Sequence, residues 1–532
     1  MMKKIIAWTV ISVVSMLFFG ACSVGMVQES VGEDEYLLDE PRPMPTAPMM
    51  IAPMAEGSAE FNTEEYDRIY ENEFLDALSN PLSTVSIDVD TASYSNARRF
   101  LNDSQLPPQD AVRIEEFINY FNYDYPQPDD EHPFSINTEI SDAPWNRDHQ
   151  LVHIGIQGLD VPKDELPDSN MVFLLDVSGS MDQPLKLPLV KRGFKLLVDQ
   201  MSERDKVAIV VYAGAAGLVL PPTSGDEKAQ IMEAIENLNA GGSTAGGEGI
   251  ELAYQIAQEN FIEGGNNRVI LATDGDFNVG PSSDAELVRL IEEKREEGIF
   301  LTVLGFGDGN LKDSKMEQLA DKGNGNYAYL DSIREANKVL VSEMAGTLLT
   351  IAKDVKIQIE FNPAMVKAYR LIGYENRVMA KEDFADDSKD AGELGAGHAV
   401  TFLYEIVPVG ADEALRPTPE LKYQESEVSE EAELTDELLT LKLRYKRPDG
   451  DESILMVEPV LDEAVALEGS SDNFRFAAAV AEFGMLLRDS EFKGEATFDE
   501  VVGLAKGALG EDEAGYRLEM LQMVETAELL AE

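Results

Sequence analysis

Between residue 170 and about residue 353, short apolar runs alternate with amphipathic stretches. Met171 to Leu175, KVAIVVYA at 206–213, RVILATDG at 268–275 and IFLTVLGFG at 299–307 are the runs. They are too uniformly apolar to leave one face wet, which predicts parallel strands covered on both sides. The stretches LVKRGFKLLVDQM, AELVRLIEEKREEG and REANKVLVSEMAGTLL place apolar residues at helical spacing, and the last predicts a helix over about Ser332 to Ile351. This rhythm predicts an α/β block, a doubly wound and mostly parallel sheet with helices on both faces. Ligands of such sheets bind at the carboxyl ends of the strands.

The flanks follow a different period. Phe134 to Ile140 and Leu151 to Gln157 alternate apolar and polar positions, as do DVKIQIEFN, VKAYRLIG, HAVTFLYEIVPV and LTLKLRYKRPDG after residue 353. Alternation of this kind predicts antiparallel strands. An inserted domain with neighbouring termini lets such strands pair across it, so residues 133–169 and 354–460 are expected to form one β-sandwich-like domain around an insert at 170–353. Residues 461–532 read as a helical C-terminal domain that starts at Asp472 and breaks around Gly494 and Gly510. Residues 71–132 read as an N-terminal flanking domain. There the spacing of Val112, Ile114, Phe117, Ile118 and Phe121 predicts a helix, and SIDVDTASYSN predicts a strand entering a helix capped by Asp90, Thr91 or Ser93. The acidic stretches KEDFADDSKDAGE and ESEVSEEAELTDE are expected to be solvated loops.

Composition narrows the partners. Among 532 residues, 43 Lys and Arg stand against 100 Asp and Glu, a formal net charge of −57. Phosphate is repelled and no basic stripe compensates, so nucleic acid is not an expected partner. One cysteine and four histidines exclude a disulfide scaffold and leave oxygen as the ligand for any metal. Lys3 and Lys4, an apolar run from Ile5 to Phe19, and then Gly20, Ala21 and Cys22 form an export signal too short to span a membrane comfortably. Small residues directly before a cysteine resemble the lipobox of bacterial lipoproteins, with Phe19 where that pattern usually has Leu. On that resemblance residues 1–22 are signal and lipobox, Cys22 is lipidated, and Ser23 after it implies the outer membrane. Residues 23–70, rich in Met, Pro, Glu and Ala at first, read as a disordered tether.

The chemistry-bearing residues of the insert all fall at predicted strand ends: Asp176, Ser178 and Ser180 in DVSGS, Thr244 in GGSTAGGEG and Asp274 in ATDGD. Two carboxylates and three hydroxyls are hard oxygen donors, which suits Mg2+ or Mn2+, with Ca2+ a third option. Neutral hydroxyls as inner ligands leave the ion net positive and one position open, and such an ion attracts an external carboxylate. DxSxS, a later Thr after glycines and TDG after a strand together resemble the metal-ion-dependent adhesion site (MIDAS) of von Willebrand factor type A (VWA) domains. The resemblance implies that Ser178, Ser180 and Thr244 contact the ion while Asp176 and Asp274 act mostly through water. It implies also that ligand coordination is coupled to displacement of the last helix. The flanking segments, with DNFRFAAAVAEFGMLLRDS near the end, resemble a bacterial family of exported VWA lipoproteins with a characteristic domain on each side.

These readings converge on an envelope-anchored lipoprotein that binds an acidic group on a protein partner through a cation, and not on an enzyme. One alternative is an envelope assembly factor acting with an ATPase. Another is a metal-dependent hydrolase, for which Asp88, Asp90 and Thr91 resemble the nucleophile strand of aspartate phosphatases. The downstream lysine and acid pair of those enzymes does not follow, and no base stands at an interpretable spacing.

Overall fold

Uniformly apolar sequence becomes buried parallel strand, and alternating sequence becomes antiparallel sheet, in the computed structural model, which describes residues 62–213, 215–242, 246–275, 284–411 and 427–531. The described residues open with β1 (Leu75–Asp76), β2 (Leu82–Ser86), α1 (Ala92–Asn102) and α2 (Ile114–Asn119), then the hairpin β3 (Phe134–Ala143) and β4 (Asn146–Gly158). The insert runs through β5 (Ser169–Asp176), α3 (Leu187–Gln200), β6 (Lys206–Tyr212), β7 (Ala216–Ser224), α4 (Lys228–Glu236), α5 (Gly246–Glu259) and β8 (Asn266–Thr273). It continues with α6 (Asp284–Glu296), β9 (Ile299–Phe306), α7 (Asp313–Lys322), β10 (Tyr327–Leu330), α8 (Ile333–Asn337) and α9 (Met344–Leu348). Then come β11 (Thr350–Phe361), β12 (Val366–Leu371), β13 (Gly392–Gly395), β14 (Ala399–Pro408), α10 (Glu430–Leu434), β15 (Glu437–Lys446) and β16 (Ser453–Leu461). Three helices close the chain: α11 (Asp472–Arg488), α12 (Phe498–Lys506) and α13 (Tyr516–Ala531).

The insert is a six-stranded sheet in the order β10-β9-β8-β5-β6-β7. All its pairings are parallel except that of β7, which turns back antiparallel on β6. Every residue of β5 and β8 is buried. The fold is thus a mixed α/β structure whose VWA-type sheet carries helices on both faces, with a helical C-terminal segment.

Strands from before and after the insert meet in one sheet, ordered β1-β12-β14-β4-β3. There Val152, Ile154 and Ile156 of β4 lie opposite Tyr404, Phe402 and Val400 of β14. A second sheet, β13-β11-β15-β16 with β2 also on β11, brings Ile357 and Ile359 beside Leu443 and Leu441. Side chains of both sheets share one core, the arrangement of a sandwich. The N-terminal helices are not a separate body. Their Phe117 and Phe121 pack on Phe483 and Phe476 of α11, within a core that also takes in α12 and α13.

Two local expectations change. The helix at Ser332 to Ile351 is broken: Glu343 N bonds Lys338 O, a π turn over residues 338–342, and β11 has begun by Thr350. The widened turn aims the Lys338 ammonium at Glu343 and over the Tyr120 ring. Gly346 then passes so close to the His398 ring that a Cβ would collide with it. At α1, Thr91 is the N-cap residue but its side chain makes no cap bond. Asp90 Oδ1 instead accepts the Tyr327 amide at 2.7 Å, and Ser93 Oγ donates to Ala111 O at 2.7 Å. The first acidic stretch is an exposed loop, as expected, anchored where Lys356 Nζ donates to Asp386 O at 2.6 Å and Arg444 pairs with Asp387 at 2.9 Å.

Buried acids give the fold a pH signature. Burial pushes the Glu115 and Glu116 carboxyls up to about 7, and Glu317 and Glu482 up to about 8. Burial pushes His153 and His398 down to about 4. A carboxyl with a raised folded pKa holds its proton longer in the folded state, so acidification from about pH 8 towards 4.5 strengthens the fold. Each neutral buried histidine works the other way as pH falls from about 6.5 to 4. With four such acids against two histidines, the unfolding temperature is expected to rise between about pH 8 and 6, then turn down below about pH 4.5. A thermal scan series showing a steady fall from pH 8 to 6 would contradict this.

Candidate functional site

The carboxyl ends of β5 and β8 lie side by side at the middle of the parallel sheet, so the loops leaving them share one edge. Asp176, the last residue of β5, is completely buried, and its Oδ1 accepts the Ser178 amide at 2.7 Å. That turn brings the Ser178 and Ser180 hydroxyls to 3.0 Å from one another. Ser178 is buried and Ser180 exposed, so the site opens on the Ser180 side. Asp274, directly after β8, is likewise buried. Gly275 takes a positive φ of 106° there, and a Cβ on it would meet the backbone of Asn310, Leu311 and Lys312.

The third loop approaches through its glycines. Gly241 N donates to Val177 O at 2.7 Å, and Gly179 N donates to Gly242 O at 3.2 Å. These two bonds tie the glycine loop to the DVSGS loop. Thr244 itself lies outside the described residues, as does Cys22. The structure therefore brings Asp176, Ser178, Ser180 and Asp274 together.

Sequence reasoning missed Lys186 and Asn310. Lys186 Nζ donates to Asp274 Oδ2 at 3.0 Å and to Asn310 Oδ1 at 3.2 Å, and its side chain is only 3% exposed. The one signal in the sequence is a lone lysine between Leu185 and Leu187, ten positions after Asp176, where an apolar helix begins.

Charge is distributed unevenly. Burial pushes the Asp176 carboxyl up to about 6, with Asp274 adding repulsion and the Ser178 hydrogen bonds opposing it. Burial would raise Asp274 too, but Lys186, Ser180 and Asn310 outweigh it and hold that carboxyl below its ordinary value. Asp176 Oδ2 is buried and makes no well-aligned hydrogen bond among the described residues, with the Tyr212 hydroxyl beside the carboxylate, so the oxygen retains capacity for a cation. Hard donors around a buried carboxylate oxygen fit a divalent cation. No group of three or more His, Cys, Asp and Glu at metal-holding geometry occurs among the described residues, so the hydroxyls are essential to any such site.

Asp88 and Asp90 stand elsewhere. Arg377 pairs with Asp88 at 3.2 Å, Asp321 at 2.7 Å and Asp90 at 3.6 Å, which ties the N-terminal segment to α7 and the sandwich.

Comparisons with known proteins agree with this layout. The family model for the von Willebrand factor type A domain matches residues 170–341, one for von Willebrand factor matches residues 60–153, and "Uncharacterized protein YfbK, C-terminal" matches residues 346–530. A protein of Escherichia coli (strain K12), "Uncharacterized protein YfbK", is 44% identical over 473 residues, covering 88% of this chain and 81% of that one. Among solved structures, a von Willebrand factor type A protein from Catenulispora acidiphila aligns at 16% identity with a TM-score of 0.41, over 76% of this chain and 92% of that one. Proximal thread matrix protein 1 from the mussel byssus, with a zinc-occupied MIDAS motif, aligns at 24% identity with a TM-score of 0.29, over 35% of this chain and 46% of that one.

Proposed function

Because the chain belongs to the family of Escherichia coli YfbK, with a von Willebrand factor type A domain between its flanks, we propose that it is a lipid-anchored protein of the cell envelope that binds a protein partner through a divalent cation. Domains of this type usually bind a divalent metal, and metal-dependent protein interaction or adhesion is their general role. Here Ser178, Ser180 and Thr244 would hold Mg2+ or a similar hard cation, with Asp176 and Asp274 supplying negative charge around it. When bound, the cation supplies a Lewis-acidic point that takes a carboxylate oxygen of the partner.

The observation that carries this reading is the pairing of the Ser178 and Ser180 hydroxyls beside the buried Asp176 carboxylate. Binding is favoured because the donors grouped at the site are hydroxyls and carboxylates of the kind that hold a hard cation. The formal net charge of −57 sets a condition on the partner. Its acidic ligand must sit in a neutral or basic surround, with salt at about 0.15 M screening the wider repulsion beyond ~8 Å. The reading is tested by retention of an envelope partner on the immobilised protein. Retention should require Mg2+ and fail in EDTA and on Ser178→Ala; equal retention in EDTA would overturn it.

Anchoring rests on Lys3, Lys4, the apolar run and Cys22. No helix of the described residues is long and apolar enough to cross a membrane. Cys22→Ser is expected to accumulate as uncleaved precursor without incorporating labelled fatty acid. Normal processing and labelling of that variant would sink the lipoprotein reading.

A further inference from the structure

The cation site already contains a cation of the protein's own. Lys186 is the N-cap residue of α3, and a positive charge at a helix N-terminus sits against the helix dipole. Its position is therefore not explained by the helix. What explains it is the pair of contacts to Asp274 Oδ2 and Asn310 Oδ1, made by an ammonium that is almost fully buried. The fold makes room for this reach: Gly307 has a φ of +72°, and a Cβ there would collide with the Lys186 side chain at Cγ, Cδ and Cε.

We infer that Lys186 is a resident counter-cation that sets the charge of the metal site, neutralising Asp274 and leaving Asp176, of the site's described carboxylates, to offset an incoming ion. The inference rests on the cation-site reading above. Two carboxylates, one ammonium and a divalent ion leave the loaded site with one net positive charge. A largely buried site with that imbalance holds its ion less tightly than an all-acid site and favours an acidic ligand, reaching it from the open Ser180 side, that completes the charge. Lys186 is thus a positioning and specificity residue that makes ion and acidic partner bind in mutual support.

The test is Mn2+ titration of the full-length protein and its Lys186→Met variant by calorimetry, with thermal unfolding alongside. The variant should bind Mn2+ at least about tenfold more tightly, because a nearby repelling charge is gone. It should also melt below wild type without metal, since Asp274 loses its cationic partner, and the gap should close at saturating Mn2+. Equal Mn2+ affinity in two proteins that both bind would overturn the role of Lys186 while leaving the cation site standing. Absence of saturable binding in both would overturn the cation site, and this inference with it. A variant too unstable to fold without metal should be recovered by refolding in Mn2+, and failure of that recovery also counts against the inference.

Discussion

Asp274→Ala is expected to lose saturable Mg2+ or Mn2+ binding altogether and to destabilise the metal-free protein by about 3 to 5 kcal/mol, the range for removing one partner of a buried ion pair. Asp274 and Lys186 are 0% and 3% exposed at their side chains, so the ammonium left behind cannot turn to water without moving. Its remaining contact, Asn310 Oδ1 at 3.2 Å, is neutral and does not replace the charge. Urea unfolding measures the loss of stability and calorimetry the loss of metal. Combining Asp274→Leu with Lys186→Met should restore much of the stability, because a well-packed apolar pair of similar volume often equals a buried ion pair. The double variant should still not bind metal. A single Asp274→Ala variant with wild-type stability and wild-type metal affinity would remove this residue from the site.

The second large effect lies where the insert meets the helices. Arg98 of α1 is a buried hub. It holds Asp331 in a two-pronged contact with both bonds at 2.7 Å, Glu335 of α8 at 2.6 Å, and Glu519 of α13 at 2.7 Å. The Tyr120 hydroxyl adds a bond of 2.7 Å to the same Glu335. One guanidinium therefore joins the N-terminal helices, the end of the VWA sheet and the last helix of the chain. Arg98→Ala leaves Asp331 and Glu335 buried together without their cation, and a loss of about 3 to 5 kcal/mol is expected. Amide exchange should quicken most in residues 333–348 and 516–531, the segments that Arg98 holds. A loss below about 1 kcal/mol, typical of surface pairs, would show that the hub is ornamental to stability.

Legibility followed burial. The strands β5, β6, β8 and β9 were readable because both their faces are covered, which leaves an unbroken apolar run. The edge strands β7 and β16 were not, because each exposes one face and one edge: Leu218 and Val219 in β7, and Leu455 and Val457 in β16, are open to solvent. The three C-terminal helices were marked by their glycines. Their shared core with α1 and α2 was hidden, since the contacting residues, such as Phe121 and Phe476, are more than three hundred positions apart. At the site, Asp176, Ser178, Ser180 and Asp274 were legible from motif and strand-end position. Lys186 was not, because a lysine at a helix start ordinarily reaches into water, and only the close pass of Gly307 turns it inward. The broken helix at 333–348 was missed for a similar reason. Its π turn answers to Tyr120 and His398, which come from other parts of the chain.

Equilibrium binding of Mn2+ to the full-length protein and to Ser178→Ala decides whether the hydroxyls beside Asp176 hold a divalent cation. One saturable site is expected in the wild type and none in the variant, with circular dichroism unchanged and only a small drop in metal-free melting, because the lost hydroxyl bonds Ser180 and the Asp176 carboxylate. A wild-type protein without a saturable site, or a Ser178→Ala variant that binds Mn2+ as well as wild type, would contradict that expectation.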